Sequence, residues 1–231
     1  MAGTAVHLAV ADLIVESLGV ESFKRAPYFF CGNIAPDAIH ARQNYVREFK
    51  KTVHLTTGIS GGDFSDPHKL SVFHSRLYNF SKENLNPDND NFDLYLGYVS
   101  HLICDELFNI HVRNEFVSAM KTEGITENDR EFFNRLMKDI SVIDVEIIKK
   151  YPFKSNVRNM LESVWNYEIS GLISADELNR SKRWVLDNLF CDYNPLNAKY
   201  YNYESAEKFI CFAAEEIISR LRSGQLGFTI Q

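Results

Sequence analysis

LYLGYVSHLICDELFNIH, residues Leu94 to His111, carries Asp105 and Glu106 but no lysine or arginine. Its apolar residues recur at helical spacing. His101 and Asp105 stand four apart, so on a helix they lie about 40° from each other. Leu94, Gly97, Tyr98, Cys104 and Phe108 share that face, which turns the imidazole and the carboxylate toward a core rather than solvent. A buried, uncompensated carboxylate is costly. A His–Asp pair inside a bundle satisfies it, and so does a divalent metal, because imidazole and carboxylate both suit zinc and related ions. HxxxD alone leaves both readings open.

Helical periodicity extends outward in both directions. Thr4 is the expected N-cap of a first helix ending near Leu18, with Gly19 as its stop. A short apolar piece covers Ala26 to Cys31. Residues 33–67 lack clear periodicity and read as a long irregular connection, of the kind that often carries function. Helices are expected from Pro67 to Leu85 with Asp66 as cap, and from Asn91 to Lys121 as one helix or two. Others fall near Glu127 to Ile148, Ser155 to Tyr167, Ala175 to Phe190 and Ser205 to Ser223. β alternation is missing. The expected fold is an all-α multi-helix bundle of roughly seven to nine helices, with residues 1–231 as a single domain.

The composition is that of a globular chain: 231 residues, 45% hydrophobic and 24% charged. A chain of this length buries roughly 70% of its unfolded surface and needs no covalent staple. The formal charge of −6 repels a phosphate backbone, which argues against broad nucleic-acid binding. Cys31, Cys104, Cys191 and Cys211 form no CxxC pair and read as buried free thiols, with a Cys191–Cys211 disulfide as the minor alternative. Met1 to Leu18 has no basic leading segment, and Asp12 and Glu16 interrupt its apolar run, unlike a signal peptide. No run approaches the roughly 18 apolar residues of a membrane span. The expected compartment is the cytoplasm.

All seven histidines lie in the first half of the chain. His7 shares a stripe with Val10, Ala11 and Ile14, where a packed core histidine and a ligand look alike. Asp37 follows Pro36 in a turn, because proline disfavours helix at Ala35; it reads equally as a capping residue. His40 can lie on the same side as Asp37. His54 falls in the irregular region. His74 reads as a core residue and His68 as a solvated one. On a straight helix His111 points about 120° away from Asp105. Arg42, Arg47, Lys50 and Lys51 are either a solvated charge run or a grip on an anion. The tyrosines between Tyr193 and Tyr203 read as a pocket wall or as packing between helices.

Taken in order, four pieces resemble the zinc-dependent phospholipase C family, which is related in fold to the single-strand-preferring zinc nucleases. Val6-His7-Leu8-Ala9-Val10-Ala11 is similar to its first metal-binding helix. Gly32-Asn33-Ile34-Ala35-Pro36-Asp37 is similar to its aspartate turn, and Val53-His54-Leu55 to its loop histidine. Leu96 to Asp105 resembles the helix whose histidine and aspartate both bind zinc, and His111 completes its HxxxDxxxxxH pattern. The closest likeness is to an unsecreted bacterial branch.

That resemblance implies a cluster of two or more zinc ions, or another divalent transition metal, built from residues 7–111. Asp37, His54, His101 and Asp105 would make one site, and His7 with Asp105 would contribute to a second. His40, His74 and His111 are further ligand candidates. The family's third site needs a downstream HxxxE, which is missing here. The family's secreted members also use their processed N-terminal residue as a ligand, and His7 lies so near Met1 that the terminal amine could not be placed the same way. The implied function is phosphoester hydrolysis by metal-activated water, with Asp37 both as ligand and as the group that orients or deprotonates that water. The substrate would be a small-molecule or lipid head-group phosphoester. A nuclease on the same scaffold and a non-catalytic, metal-stabilised helical protein are the alternatives.

Overall fold

A computed structural model describes residues 2–190, 197–227 and 229. Nine α-helices run through them: α1 (Thr4–Leu18), α2 (Ala26–Ile34), α3 (Arg47–Val53), α4 (Pro67–Asn84), α5 (Phe92–Lys121), α6 (Arg130–Lys150), α7 (Val157–Glu162), α8 (Ala175–Asn188) and α9 (Tyr203–Ser223). Among the described residues no β-strand forms; one antiparallel bridge joins Ile169 and Ile173. The fold is all-α, and no helix in these residues is long and apolar enough to cross a membrane.

α5 is the axis. Every residue from Phe92 through Asn109 is buried, so it is enclosed on all sides rather than amphipathic, as a helix without a charged face must be. α2 lies against it at backbone contact. A Cβ added to Gly97 would sit 2.1 Å from the Phe29 carbonyl oxygen, and one on Gly32 would sit 2.1 Å from that of Leu94. Only the paired glycines allow this approach. α1 packs on α2, α5, α6 and α9, while α8 docks on the 3-10 turn Pro36–Ala41 that carries Asp37.

Several element expectations change. Gly3, not Thr4, precedes the first helical residue, and no side chain from that position caps α1. The N–H groups of Thr4 and Ala5 donate instead to Asp144 of α6, at 3.0 and 2.9 Å. Residues 33–67 are mostly helical: 3-10 turns at Pro36–Ala41 and Gly62–Ser65 flank α3. α3 is rich in charge and buries only Val53, so it has no apolar period to detect. The Ser155 to Tyr167 segment shrinks to α7. Asp66 does cap α4 through the His68 N–H, and Ser174 with Glu177 forms a capping box on α8.

Cys31 and Cys104 are buried free thiols, but Cys211 is exposed; Cys191, and with it the disulfide alternative, lies outside the described residues. So does Tyr193. Tyr200 and Tyr201 pack on Phe116, and Tyr201 also meets Phe108, which is packing between helices.

Candidate metal centre

Four elements converge. α5 supplies His101 and Asp105, α1 supplies His7, the 3-10 turn supplies Asp37, and His54 follows the last turn of α3. His54 Nε2 lies 3.4 Å from Asp37 Oδ1 and 3.7 Å from Asp105 Oδ2. His101 Nε2 lies 3.7 Å from Asp105 Oδ2 and 3.4 Å from His54 Nε2. His7 Nε2 lies 3.4 Å from Asp105 Oδ1, and its ring stacks on that of His101 with centroids 3.7 Å apart. Two groups of side chains, His7/His101/Asp105 and Asp37/His54/His101, each bring their ligand atoms within 4.8 Å of one another.

The hydrogen bonds fix which ring nitrogens are free. His101 Nδ1 donates to the Asn33 carbonyl at 2.8 Å, and His54 Nδ1 donates to the Lys50 carbonyl at 3.0 Å. A carbonyl only accepts, so each neutral ring leaves its Nε2 as a bare lone pair. Those two lone pairs face each other beside two carboxylates. Neither nitrogen of buried His7 has a hydrogen-bond partner, since its approach to Asp105 is an ion-pair distance rather than a hydrogen bond. Between His54 Nε2, His101 Nε2 and Asp105 Oδ2 lies a corner of buried acceptors that a cation would satisfy. The backbone carbonyls behind His54 and His101 are the supports that metal-ligating imidazoles use.

The electrostatics agree. Burial pulls His101 down to about 3, which keeps its ring neutral. Burial opposes the charge on Asp105, yet it is held well below the usual carboxylate range, with His7 and His101 among the groups that favour ionisation. Asp37 is likewise held low against its burial, chiefly by the Lys50 ammonium and then by His54. His7 goes the other way. Burial disfavours its proton, but Asp105 and the neighbouring Cys104 outweigh that and push it up to about 10.

Other buried carboxylates show what ordinary structural satisfaction looks like. Asp12 accepts the N–H groups of Lys154 and Ser155 at 2.7 and 2.8 Å, and Asp139 those of Lys199, Tyr200 and Tyr201. Asp105 has one such donor, the Ala2 N–H at 2.9 Å. Ala2 lies beside the cluster because α1 is seated on Asp144 and directs its first residues inward; the terminal amine, on Met1, lies outside the described residues.

The remaining candidates separate. His40 reaches within 3.9 Å of Asp37, but its Nε2 accepts from Lys50 Nζ at 3.1 Å and its side chain is half exposed. His111 is not brought to the cluster: it is exposed and stands edge-on to Phe212 of α9, with centroids 4.8 Å apart. Its place after Asp105 turns it off the buried face, as the helical angle requires. His74 is neither core nor ligand; it bonds Glu106 at 2.9 Å, and Arg220 closes the other side of that buried carboxylate at 2.7 Å. His68 is exposed.

Lys50 is the residue the charge run concealed. Its ammonium lies 2.6 Å from Asp37 while its carbonyl orients His54. Its neighbours behave as ordinary charges: Arg42 pairs with Glu177 at 2.6 Å, Lys51 with Glu48, and Arg47 is exposed. Only its i, i+4 spacing from His54 hinted at the difference.

A cavity of about 570 Å³ adjoins the cluster, reaching Asp37, His40 and Lys50 on one side. Its other walls are Met137, Ile140, Ser141 and Asp144 of α6 and Arg180, Ser181, Trp184 and Val185 of α8. Burial pushes Asp144 up to about 7. None of these wall residues carried a sequence motif.

Fold and site together define an all-helical protein with a buried His/Asp cluster suited to divalent metal, beside a cavity of small-ligand size. Residues 6–174 match the family model described as zinc dependent phospholipase C. The match covers well over half of the chain, and the protein belongs to that family. No curated protein and no solved structure matches it significantly.

Proposed function

We propose that this chain is a metal-dependent phosphoester hydrolase of phospholipase C type, acting on a lipid head-group or similar small phosphoester. The observation that carries the reading is the convergence of three imidazoles and two carboxylates, with the Nε2 atoms of His54 and His101 facing each other beside Asp37 and Asp105. Asp37, His54, His101 and Asp105 would hold one zinc, and His7 with Asp105 a second. His101 has a single ligating nitrogen, because Nδ1 is engaged by Asn33, and so serves one site only. Asp105 can serve both: Oδ1 faces His7, and Oδ2 faces His54 and His101.

Bound divalent ions supply Lewis acidity, lowering the pKa of water toward neutrality and offsetting charge on phosphate oxygens. Asp37 belongs both to the cluster and to the cavity wall. Kept ionised by Lys50, it orients the attacking water toward phosphorus and takes up its proton on a carboxylate oxygen. Lys50 fixes Asp37 in place from the cavity side. The described helices read as one domain, since the cavity takes its walls from both halves of the chain.

Elemental mass spectrometry of the purified protein tests this reading. Two or more zinc or similar ions per chain are expected, lost in His101→Ala and Asp105→Asn and retained in His111→Ala. Metal-dependent release of a phosphorylated head group should follow the same pattern. A folded wild type that takes up no metal sinks the proposal.

A further inference from the structure

The cavity wall says more about the substrate than the cluster does. An enclosed quaternary ammonium is held by aromatic faces and a free counter-charge. Trp184 offers one exposed aromatic face at the cavity, but no described wall carboxylate is left to meet a cation. Asp37 is matched by Lys50 at 2.6 Å and turned to the cluster. Asp144 has both oxygens engaged, Oδ1 by the Ala5 N–H and Oδ2 by the Thr4 N–H.

The cations are differently placed. Arg180 lines the cavity, and its one ion pair, with Asp176 at 2.9 Å, is exposed on both sides. A solvated pair of this kind contributes little and leaves the guanidinium available. A guanidinium grips phosphate or carboxylate through two parallel N–H bonds. The Ser181 hydroxyl, and the oxygen of Ser141, whose hydroxyl donates to the Met137 carbonyl, add groups that can bond a polyol.

We propose that this cavity selects phosphodiesters whose head group is hydroxyl-bearing or anionic and discriminates against quaternary ammonium head groups, with Arg180 setting the preference. The proposal rests on the hydrolase reading for its phosphodiester. The same chemistry occurs in glycerophospholipids and in their water-soluble deacylated diesters.

The chain has two tryptophans, Trp165 and Trp184, so Trp165→Phe leaves Trp184 as the sole indole reporter. Trp165 covers Lys182 with its ring face, which phenylalanine preserves in part. In that background, stopped-flow fluorescence before turnover would follow four probes: dihexanoyl phosphatidylglycerol and phosphatidylcholine, glycerophosphoglycerol and glycerophosphocholine. The glycerol head group should bind about tenfold more tightly than choline, and Arg180→Gln and Arg180→Glu should abolish that difference. A preference confined to the dihexanoyl pair points to a lipid; one in both pairs, to the head group alone. Equal or tighter choline binding, a preference that survives at Arg180→Glu, or silence of Trp184 with every probe overturns the proposal. The preference without hydrolysis, in metal-loaded protein, would support the cavity assignment and sink only the hydrolase reading.

Discussion

His54 and His101 each commit one ring nitrogen to a backbone carbonyl, and this small constraint turns two histidines into paired ligands. His7 has no such support, and in metal-free protein its proton is the counter-charge to Asp105. Metal uptake must displace that proton. Calorimetry at pH 7.5 in buffers of different ionisation enthalpy should therefore register about one proton released per chain, and His7→Asn should remove that release. Because His7 titrates only near 10, affinity should climb as pH rises toward that value and fall steadily below it. A pH-independent affinity between 6 and 9 would contradict the assignment. At this scale the sequence was largely legible: His7, Asp37, His54, His101 and Asp105 come together as their order suggested. It offered Lys50 only as one member of a charge run, solvated or gripping an anion, and its ammonium stands out from its neighbours once Asp37 is placed beside it.

α5 and α2 set the geometry at the next scale. Their glycine contact brings the Asn33 carbonyl within 2.8 Å of His101 Nδ1. Gly97→Ala would drive a methyl into the Phe29 carbonyl, where only backbone can yield. We expect a loss of about 1–3 kcal/mol or more, read as a melting temperature lower by several degrees, together with weaker metal retention as His101 loses its support. An unchanged melting curve would refute the close-contact account. Long helices with strong patterns, such as α6 and α9, were readable because their period repeats over many turns. α3 was not, since a short helix with one buried residue leaves no period to find.

Across the whole molecule, Arg42 and Glu177 tie the Asp37 turn to α8. Arg42 donates to both Glu177 oxygens, at 2.6 and 3.2 Å, and to the Leu172 carbonyl at 2.6 Å. Glu177 also accepts from the Ser174 N–H in the capping box. Glu177→Gln should cost about 1–3 kcal/mol at neutral pH. Arg42 first, against a smaller penalty from burial, holds Glu177 below its ordinary 4.5, so the folded state keeps the charge more readily than the unfolded one. That contribution is fully present above the ordinary value and fades as pH falls through the lower folded one. Denaturation curves of wild type and variant should therefore differ at pH 7 and draw together as pH falls below 4.5. A constant gap across that range would exclude the ionic contribution. Trp184→Ala should leave the metal content untouched, since α8 reaches the cavity but not the cluster.

Residue order alone determined the helical class and which histidines and aspartates share buried faces, because both follow from local spacing along one helix or turn. Tertiary structure decided the rest. Asp144 meets Ala5 across 139 residues and Arg42 meets Glu177 across 135. It also turned His111 away from the ligands, left His40 half exposed at 3.9 Å from Asp37, and assigned Lys50 to Asp37. The cavity's walls opposite Asp37 and Lys50 came from α6 and α8, in a half of the chain without a single histidine. Periodicity reports which side of a helix is buried; only packing between helices determines what that side meets.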